Sequence, residues 1–296
     1  MRVVVTGASG LVGSALVPYL AAQGHETDVL SRNTAPGHLV WNPQDGSLDP
    51  ALLKGVEAIV HLAGANIAAG RWTSARKKEI RDSRLGSTRL LVDTFRRLDR
   101  PPRVLVCSSA IGFYGDTGEK IVAEDSAGGS GFLADLCREW EAEAARAEEL
   151  GTRVVRMRTG VILSPKGGAL AKVLPVFRAG FGGPIGGGKQ WMSWISIDDA
   201  IAVIQFLMAG DSISGPVNAV APMPVTNSEF AHALGHALSR PAIAPVPATV
   251  LKLMYGKMAE ETILASTRVV PQRLIGEGFQ FRHPELEGAL NYLLKE

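Results

Sequence analysis

The chain opens on an unbroken apolar run, Val3-Val4-Val5, and short runs of the same kind recur through its first half. The segments 2–6, 27–31, 58–62, 104–108 and 153–158 are rich in β-branched residues and nearly continuously apolar. Strands that read this way are buried on both faces, as in a parallel sheet covered by helices. Between them lie segments of helical texture at 11–23, about 74–97 and 132–150. Gly24 and Gly151 each follow such a segment and fit the left-handed residue that ends many helices. This βαβα order predicts a doubly wound α/β sheet with right-handed crossovers, a Rossmann-type architecture.

After about residue 160 the texture changes: Gly and Pro become frequent and the segments shorten. A strand near 216–220 and a helix near 196–208 return to the sheet. The remainder reads as a smaller, mostly helical C-terminal substrate lobe. The expected division is therefore 1–163 with about 195–220 as the nucleotide-binding domain, and 164–194 with 221–296 as the lobe. No repeat or low-complexity segment interrupts this order.

Composition narrows the class. A chain of 296 residues, 46% hydrophobic and 20% charged, is long and apolar enough to build a core without a metal or disulfide staple. Lys and Arg number 31 against 29 Asp and Glu, for a net charge of +2. That balance argues against nucleic acid or an anionic membrane as partner. Two cysteines, Cys107 and Cys137, exclude a disulfide framework and a four-thiolate zinc site. No apolar stretch approaches the ~18 residues that suggest a membrane span, and the N-terminus has no signal-peptide core. A cytoplasmic setting is the default expectation.

The sharpest motif is Thr6-Gly7-Ala8-Ser9-Gly10-Leu11-Val12-Gly13, set between the first strand and the first helix. In that context Gly7 permits a tight turn, Gly10 lets backbone approach a pyrophosphate at the helix N-terminus, and Gly13 allows close packing. The second strand then ends Ser31-Arg32-Asn33, where an NAD enzyme usually carries an acid for the ribose 2′-hydroxyl. Arg32 instead offers a planar fork of donors suited to a 2′-phosphate, with the Ser31 hydroxyl beside it. The cofactor read from these residues is NADP(H) rather than NAD(H); the alternative for Arg32 is a solvated strand end.

The spacing G-x-x-G-x-x-G resembles that of the extended short-chain dehydrogenase/reductase superfamily. The likeness continues in His61-Leu62-Ala63-Gly64, Ser108-Ser109-Ala110 with Tyr114-Gly115, Trp194-Ile195-Ser196-Ile197-Asp198-Asp199-Ala200, and Val217-Asn218-Ala219-Val220. It implies that Leu62, Ala63 and Gly64 lie against the cofactor and that the backbone at Val161 meets the nicotinamide amide. It also implies that Ser109 is the active-site serine and that Tyr114 lines the site. Arg84 falls where the fourth helix of the family faces the site, as a contact for cofactor phosphate or a substrate anion; a helix-surface arginine is the alternative.

One family feature is missing. No tyrosine in the sequence is followed four residues later by lysine, the pair that normally transfers the proton and holds the nicotinamide ribose. On the helix after the fifth strand, Phe132 and Leu136 are expected at those places. This departure, with Phe132-Leu133-Ala134, Trp140-Glu141 and Gly182-Gly183-Pro184-Ile185-Gly186, resembles the atypical group labelled epimerase family proteins. Ser109 and Tyr114 remain as candidate catalytic groups.

Other signals carry less. Gly183 to Lys189 imitates a P-loop but lacks its Ser or Thr and is expected to form a flexible lid. Lys166, Lys189, Trp191 and Trp194 are candidate cleft residues. His232 and His236 share a helix face without the glutamate of a metalloprotease motif, and no metal site is expected. Residues 71–103 hold eleven Lys/Arg and four Asp/Glu. The resemblance implies a homodimer contact there, with a solvated face as the alternative. The resulting expectation is an NADP(H)-dependent oxidoreductase, epimerase-like, transferring hydride at a carbonyl or alcohol carbon of an unidentified small molecule. A non-catalytic NADP(H)-sensing module is the alternative.

Overall fold

The computed structural model describes residues 1–295. Seven strands form one sheet: β1 (Arg2–Thr6), β2 (Glu26–Ser31), β3 (His38–Val40), β4 (Ala58–His61), β5 (Val104–Ala110), β6 (Arg153–Thr159) and β7 (Gly215–Ala219). Their order is β7-β6-β5-β4-β1-β2-β3, and every neighbouring pair is parallel. The chain leaves β1 in opposite directions on its two sides, so the crevice between β1 and β4 is the topological switch point where such sheets bind ligands.

The continuous apolar runs follow from burial on both faces. Val3 and Val5 point into a core shared with Leu16 and Leu20 of α1 (Leu11–Ala22). Val4 points the other way, toward Leu91 and Phe95 of α2 (Ser74–Phe95) and Trp140 of α3 (Phe132–Ala145). Successive side chains of a strand face opposite sides, and here neither side is wet. A fourth helix, α4 (Ile197–Ala209), completes the first face with Ile201, Ile204 and Met208. Gly24 and Gly151 stand at φ +80° and +82° after their helices, where a side chain would be strained. The three-residue edge strand β3 is too short and too exposed to show in the hydrophobic pattern.

Beyond β6, the helices Gly168–Arg178, Asn227–Ala237 and Leu286–Leu293 pack Leu170, Leu174, Leu234 and Leu290 into a separate core. Trp194 lies fully buried within it, its indole N–H donating to the Met223 carbonyl at 3.0 Å. It is therefore a core residue and not a cleft residue. Asp199 joins the two parts. Its carboxylate accepts the N–H groups of Arg282 and His283 at 2.7 and 3.0 Å, and the Ser196 hydroxyl at 2.9 Å.

One expectation is corrected by the packing. The stretch 182–190 is held by backbone bonds Ala244 N–H to Gly182 O, Val246 N–H to Pro184 O and Gly186 N–H to Val246 O. A Cβ on Gly183 would fall 2.3 Å from the Ala244 carbonyl oxygen, so this is a tightly seated segment and not a loose lid. Part of the basic stretch 71–103 pairs with acids of the same chain. Arg81 pairs with Glu139, Arg89 with Glu143 and Arg96 with Glu149, all on or just after α3.

Candidate functional site

A cavity of about 280 Å³ opens at the switch point. One wall is the turn after β1. Gly7 sits at φ +70°, and a Cβ there would lie 2.7 Å from the backbone carbon of Leu62. The turn thus rests directly on the segment that follows β4. Gly13 is equally constrained, since its Cβ would lie 2.4 Å from the Gly7 carbonyl oxygen and 2.6 Å from Ala8 Cα. Its partner is the turn itself rather than a strand. Gly10 differs: a Cβ there would meet only the Gly7 oxygen, at 3.2 Å, and otherwise open space. α1 begins at Gly10 with no side-chain cap, so its first-turn N–H groups are left for a ligand beside the cavity.

Thr6 locks this wall to β4. Its hydroxyl oxygen accepts the N–H groups of Leu62 and Ala63 at 3.1 and 3.2 Å and lies 2.7 Å from His61 Nδ1. His61 Nε2 reaches the hydroxyls of Thr88 and Ser87 at 3.1 and 3.2 Å. Burial, reinforced by the nearby Arg84 cation, pulls the His61 pKa down to about 3, so the ring is neutral.

The opposite wall comes from β5, β6 and α3. Ser108, Ser109 and Ala110 line it with Met157, Thr159, Leu133, Leu136, Cys137 and Trp140. The Ser109 hydroxyl donates to Glu141 Oε1 at 2.7 Å. Arg158 grips the same carboxylate with two parallel bonds of 2.8 Å, Nε to Oε1 and Nη2 to Oε2. Arg158 Nη1 also donates to the Tyr114 hydroxyl at 3.0 Å, and Tyr114 donates onward to Asn218 Oδ1 at 2.7 Å. Asn218 N–H in turn donates to Glu124 Oε1 at 3.0 Å. Ser109, Glu141 and Arg158 are only 5%, 6% and 4% exposed, so this chain of charges and hydroxyls is nearly dry. Burial raises the Tyr114 pKa against the opposing pull of Arg158.

The cavity brings together Gly7, Gly10, Leu11, Val12, Gly13, Leu62, Arg84 and Ser109 from the sequence candidates. Ala8 and Ser9 belong to the same turn, and Gly64 touches Arg84, where an added Cβ would sit 3.0 Å from the guanidinium carbon. Tyr114 is not among the lining residues; its hydroxyl is spent inside the buried network, which corrects the expectation that it stands in the cleft. Val161 is displaced too. Its N–H donates to the Ser193 carbonyl at 2.9 Å, and Ile162 faces the cavity instead. On α3 the lining residues are Leu133, Leu136, Cys137 and Trp140, so Leu136 of the expected pair faces the cavity and Phe132 does not. Phe132 packs edge-on against Trp72. Burial raises the Cys137 thiol to about 11, so it stays protonated. Ser31 and Arg32 end β2 away from the cavity, Arg32 exposed and, among the described residues, without an ion-pair partner.

Glu141 and Asn218 stand in motifs that assign them no role, and Arg158 stands in a strand. Arg158 did leave a trace, as a charge inside a strand buried on both faces, which requires a buried partner. Among the described residues there is no cluster of three or more His, Cys, Asp or Glu arranged to hold a metal ion. Nor is any described helix long and apolar enough to cross a membrane.

Residues 3–219 match the model of the NAD dependent epimerase/dehydratase family, and residues 246–293 match a domain of unknown function. An epimerase family protein of Mycobacterium bovis is 42% identical over 98% of this chain and 96% of its own. The human epimerase family protein SDR39U1 is 38% identical over 99% of this chain and 100% of its own. A crystal structure of that human protein (isoform 2) with NADPH superimposes with a TM-score of 0.94 at 36% identity, covering 100% of both chains. The UDP-glucose 4-epimerase of Thermotoga maritima, at 16% identity and a TM-score of 0.79, shares the fold.

Proposed function

Because the chain belongs to the NAD dependent epimerase/dehydratase family, we propose that it is an NADP(H)-binding, epimerase-like oxidoreductase acting on a small alcohol or carbonyl compound. The observation that carries this reading is the Gly7–Gly13 turn. Gly7 and Gly13 are demanded by backbone contacts, whereas Gly10 keeps open the space before an uncapped helix. That is the cradle a dinucleotide pyrophosphate needs. The related human protein crystallised with NADPH supports the phosphorylated cofactor, as does Arg32 exposed at the end of β2.

When bound, the cofactor supplies or takes the hydride. The chain's own part is to hold the substrate oxygen. Ser109 has committed its proton to Glu141, and Glu141 is fixed in turn by the two-pronged bond from Arg158. Toward the cavity, Ser109 Oγ therefore presents lone pairs, suited to receive the O–H of an alcohol. Tyr114 and Asn218 hold Arg158 in place and so act as positioning residues. The apolar walls formed by Leu133, Leu136, Met157 and Ile162 exclude water from that oxygen. The substrate is a small molecule, and the setting proposed for the protein is the cytoplasm.

A second reading has an observation of its own. The α3 side chains lining the cavity are Leu133, Leu136, Cys137 and Trp140, and none is the tyrosine or lysine of the usual proton-transferring pair. This favours a non-catalytic module that senses the NADP(H) ratio. Fluorescence titration with NADPH and NADH tests the shared premise. NADPH is expected to bind at least about tenfold more tightly, and Arg32→Asp to remove that preference. Equal binding of the two cofactors overturns the NADP(H) assignment. A carbonyl and alcohol panel then separates the readings, since turnover abolished by Ser109→Ala belongs only to the enzyme.

A further inference from the structure

Arg84 stands apart from the other basic residues of α2. Arg76 pairs with Glu79, Lys78 with Asp82, Arg81 with Glu139 and Arg89 with Glu143. Lys77 lies over the rings of Trp72 and Phe132. Arg84 points inward, lines the cavity and has no carboxylate partner among the described residues. Its Nη1 donates to the carbonyls of Ala65 at 3.0 Å and Ile80 at 3.1 Å, and its plane lies 5.2 Å from the centre of the Trp140 ring. Nε and Nη2 have no protein acceptor, yet they are not among the sealed-off polar atoms of the interior. The edge they form is open to the cavity. Burial lowers the Arg84 pKa to about 10, which leaves it charged at neutral pH. A guanidinium set among apolar walls without an acid is costly until an anion joins it.

We propose that the free Nε/Nη2 edge of Arg84 anchors the carboxylate of a substrate whose remaining body is largely apolar and carries its reacting oxygen toward Ser109. The edge supplies two parallel N–H donors in the geometry of a planar carboxylate. One cation with one such edge balances a monoanion, whereas a phosphate dianion calls for more donors than this wall supplies. Ile67, Leu133, Leu136, Trp140 and Met157 line the same space and offer nothing polar to the rest of the molecule apart from the indole edge of Trp140. That edge is itself occupied, since its N–H donates to Thr88 at 2.9 Å. The proposal rests on the NADP(H) reading, in which the pyrophosphate lies at the start of α1 and the 2′-phosphate at Arg32. Arg84 lies on α2, beside the Gly64–Ala65 segment and the Trp140 ring.

Calorimetric titration of the NADPH-loaded protein with benzoate, and separately with benzamide, tests it. Benzoate is expected to bind and its neutral isostere to bind at least about tenfold more weakly, because only the carboxylate satisfies the charged edge. Arg84→Gln should erase the difference between the two probes, and Arg84→Lys should restore only part of it, while both variants keep NADPH affinity within about threefold of the parent. Equal binding of benzoate and benzamide to the parent protein, or binding of neither, overturns the proposal without requiring any variant to fold. A tenfold loss of NADPH affinity in Arg84→Gln also overturns it and gives Arg84 to the cofactor. Should the parent protein bind no NADPH, the cofactor reading fails by itself, and the benzoate–benzamide comparison on the free protein still decides the role of Arg84.

Discussion

Two buried side chains show how single residues are tuned by what surrounds them. His61 is held neutral by burial, with its folded pKa near 3 against an ordinary 6.5. Above pH 6.5 the ring is neutral in both folded and unfolded chains and costs nothing. Below it the unfolded chain gains a proton that the folded one refuses, so stability falls as pH drops from 6.5 toward 3. Thermal unfolding between pH 8 and 4.5 should show that decline, and His61→Asn should flatten it; parallel curves for the two proteins would assign the decline to other groups. Glu141 is fixed by its pairing with Arg158. Glu141→Ala would leave Arg158, only 4% exposed, buried beside two aromatic rings with no counter-charge. Such orphaned charges cost about 3–5 kcal/mol, which denaturant unfolding should register, while Ser109→Ala should cost about 1 kcal/mol or less.

At the scale of the element, the Gly-rich turn separates structural from binding glycines. A Cβ at Gly13 meets backbone at 2.4 Å, which nothing nearby can relieve without moving α1 off the turn. Gly13→Ala should therefore unfold at markedly lower temperature, by a few kcal/mol as overpacked sites commonly do, about 1–3. At Gly10 the added methyl meets only one oxygen, at 3.2 Å, and otherwise stands where the cofactor would lie. Gly10→Ala is expected to fold with near-parent stability and to lose NADPH affinity by about tenfold or more. A Gly10→Ala protein that binds NADPH as the parent does would remove the turn from the cofactor site. The pairing of α2 with α3 is different in kind. Arg81–Glu139 lies at the surface, where such a pair contributes little, whereas Arg89 reaches down to the largely buried Glu143.

At the scale of the molecule, the C-terminal lobe reaches back to the cavity wall. Glu261 Oε2 accepts the N–H of Leu133 at 3.0 Å, supplying from the lobe the cap that α3 lacks in its own sequence. Glu261→Ala should weaken the first turn of α3 by about 1 kcal/mol, seen as faster hydrogen exchange at residues 132–136 with exchange in β5 unchanged. Exchange equal to the parent in that turn would show that the lobe does not brace the wall. Glu124 is a similar tie, accepting Asn218 N–H from β7 and Arg273 N–H from the C-terminal segment at 3.0 and 3.4 Å.

The sequence alone determined the central strands of the sheet, because strands buried on both faces are mostly apolar, and that constraint survives in one dimension; the exposed edge strand β3 carries no such mark. It also determined the turn at Gly7–Gly13, since no other residue fits those backbone contacts. Whatever depended on which side chains meet across the fold was decided only in three dimensions. Leu133 rather than Phe132 faces the cavity because helix phase is set by packing against β5 and β6. Tyr114 withdraws into the Arg158 network because a strand-borne guanidinium must be satisfied where it is buried, and its partners lie 17 and 44 residues away along the chain. The resemblance already marks Arg84 as facing the site; which of its nitrogens stay free is decided only by the carbonyls of Ala65 and Ile80 and the Trp140 ring that surround it.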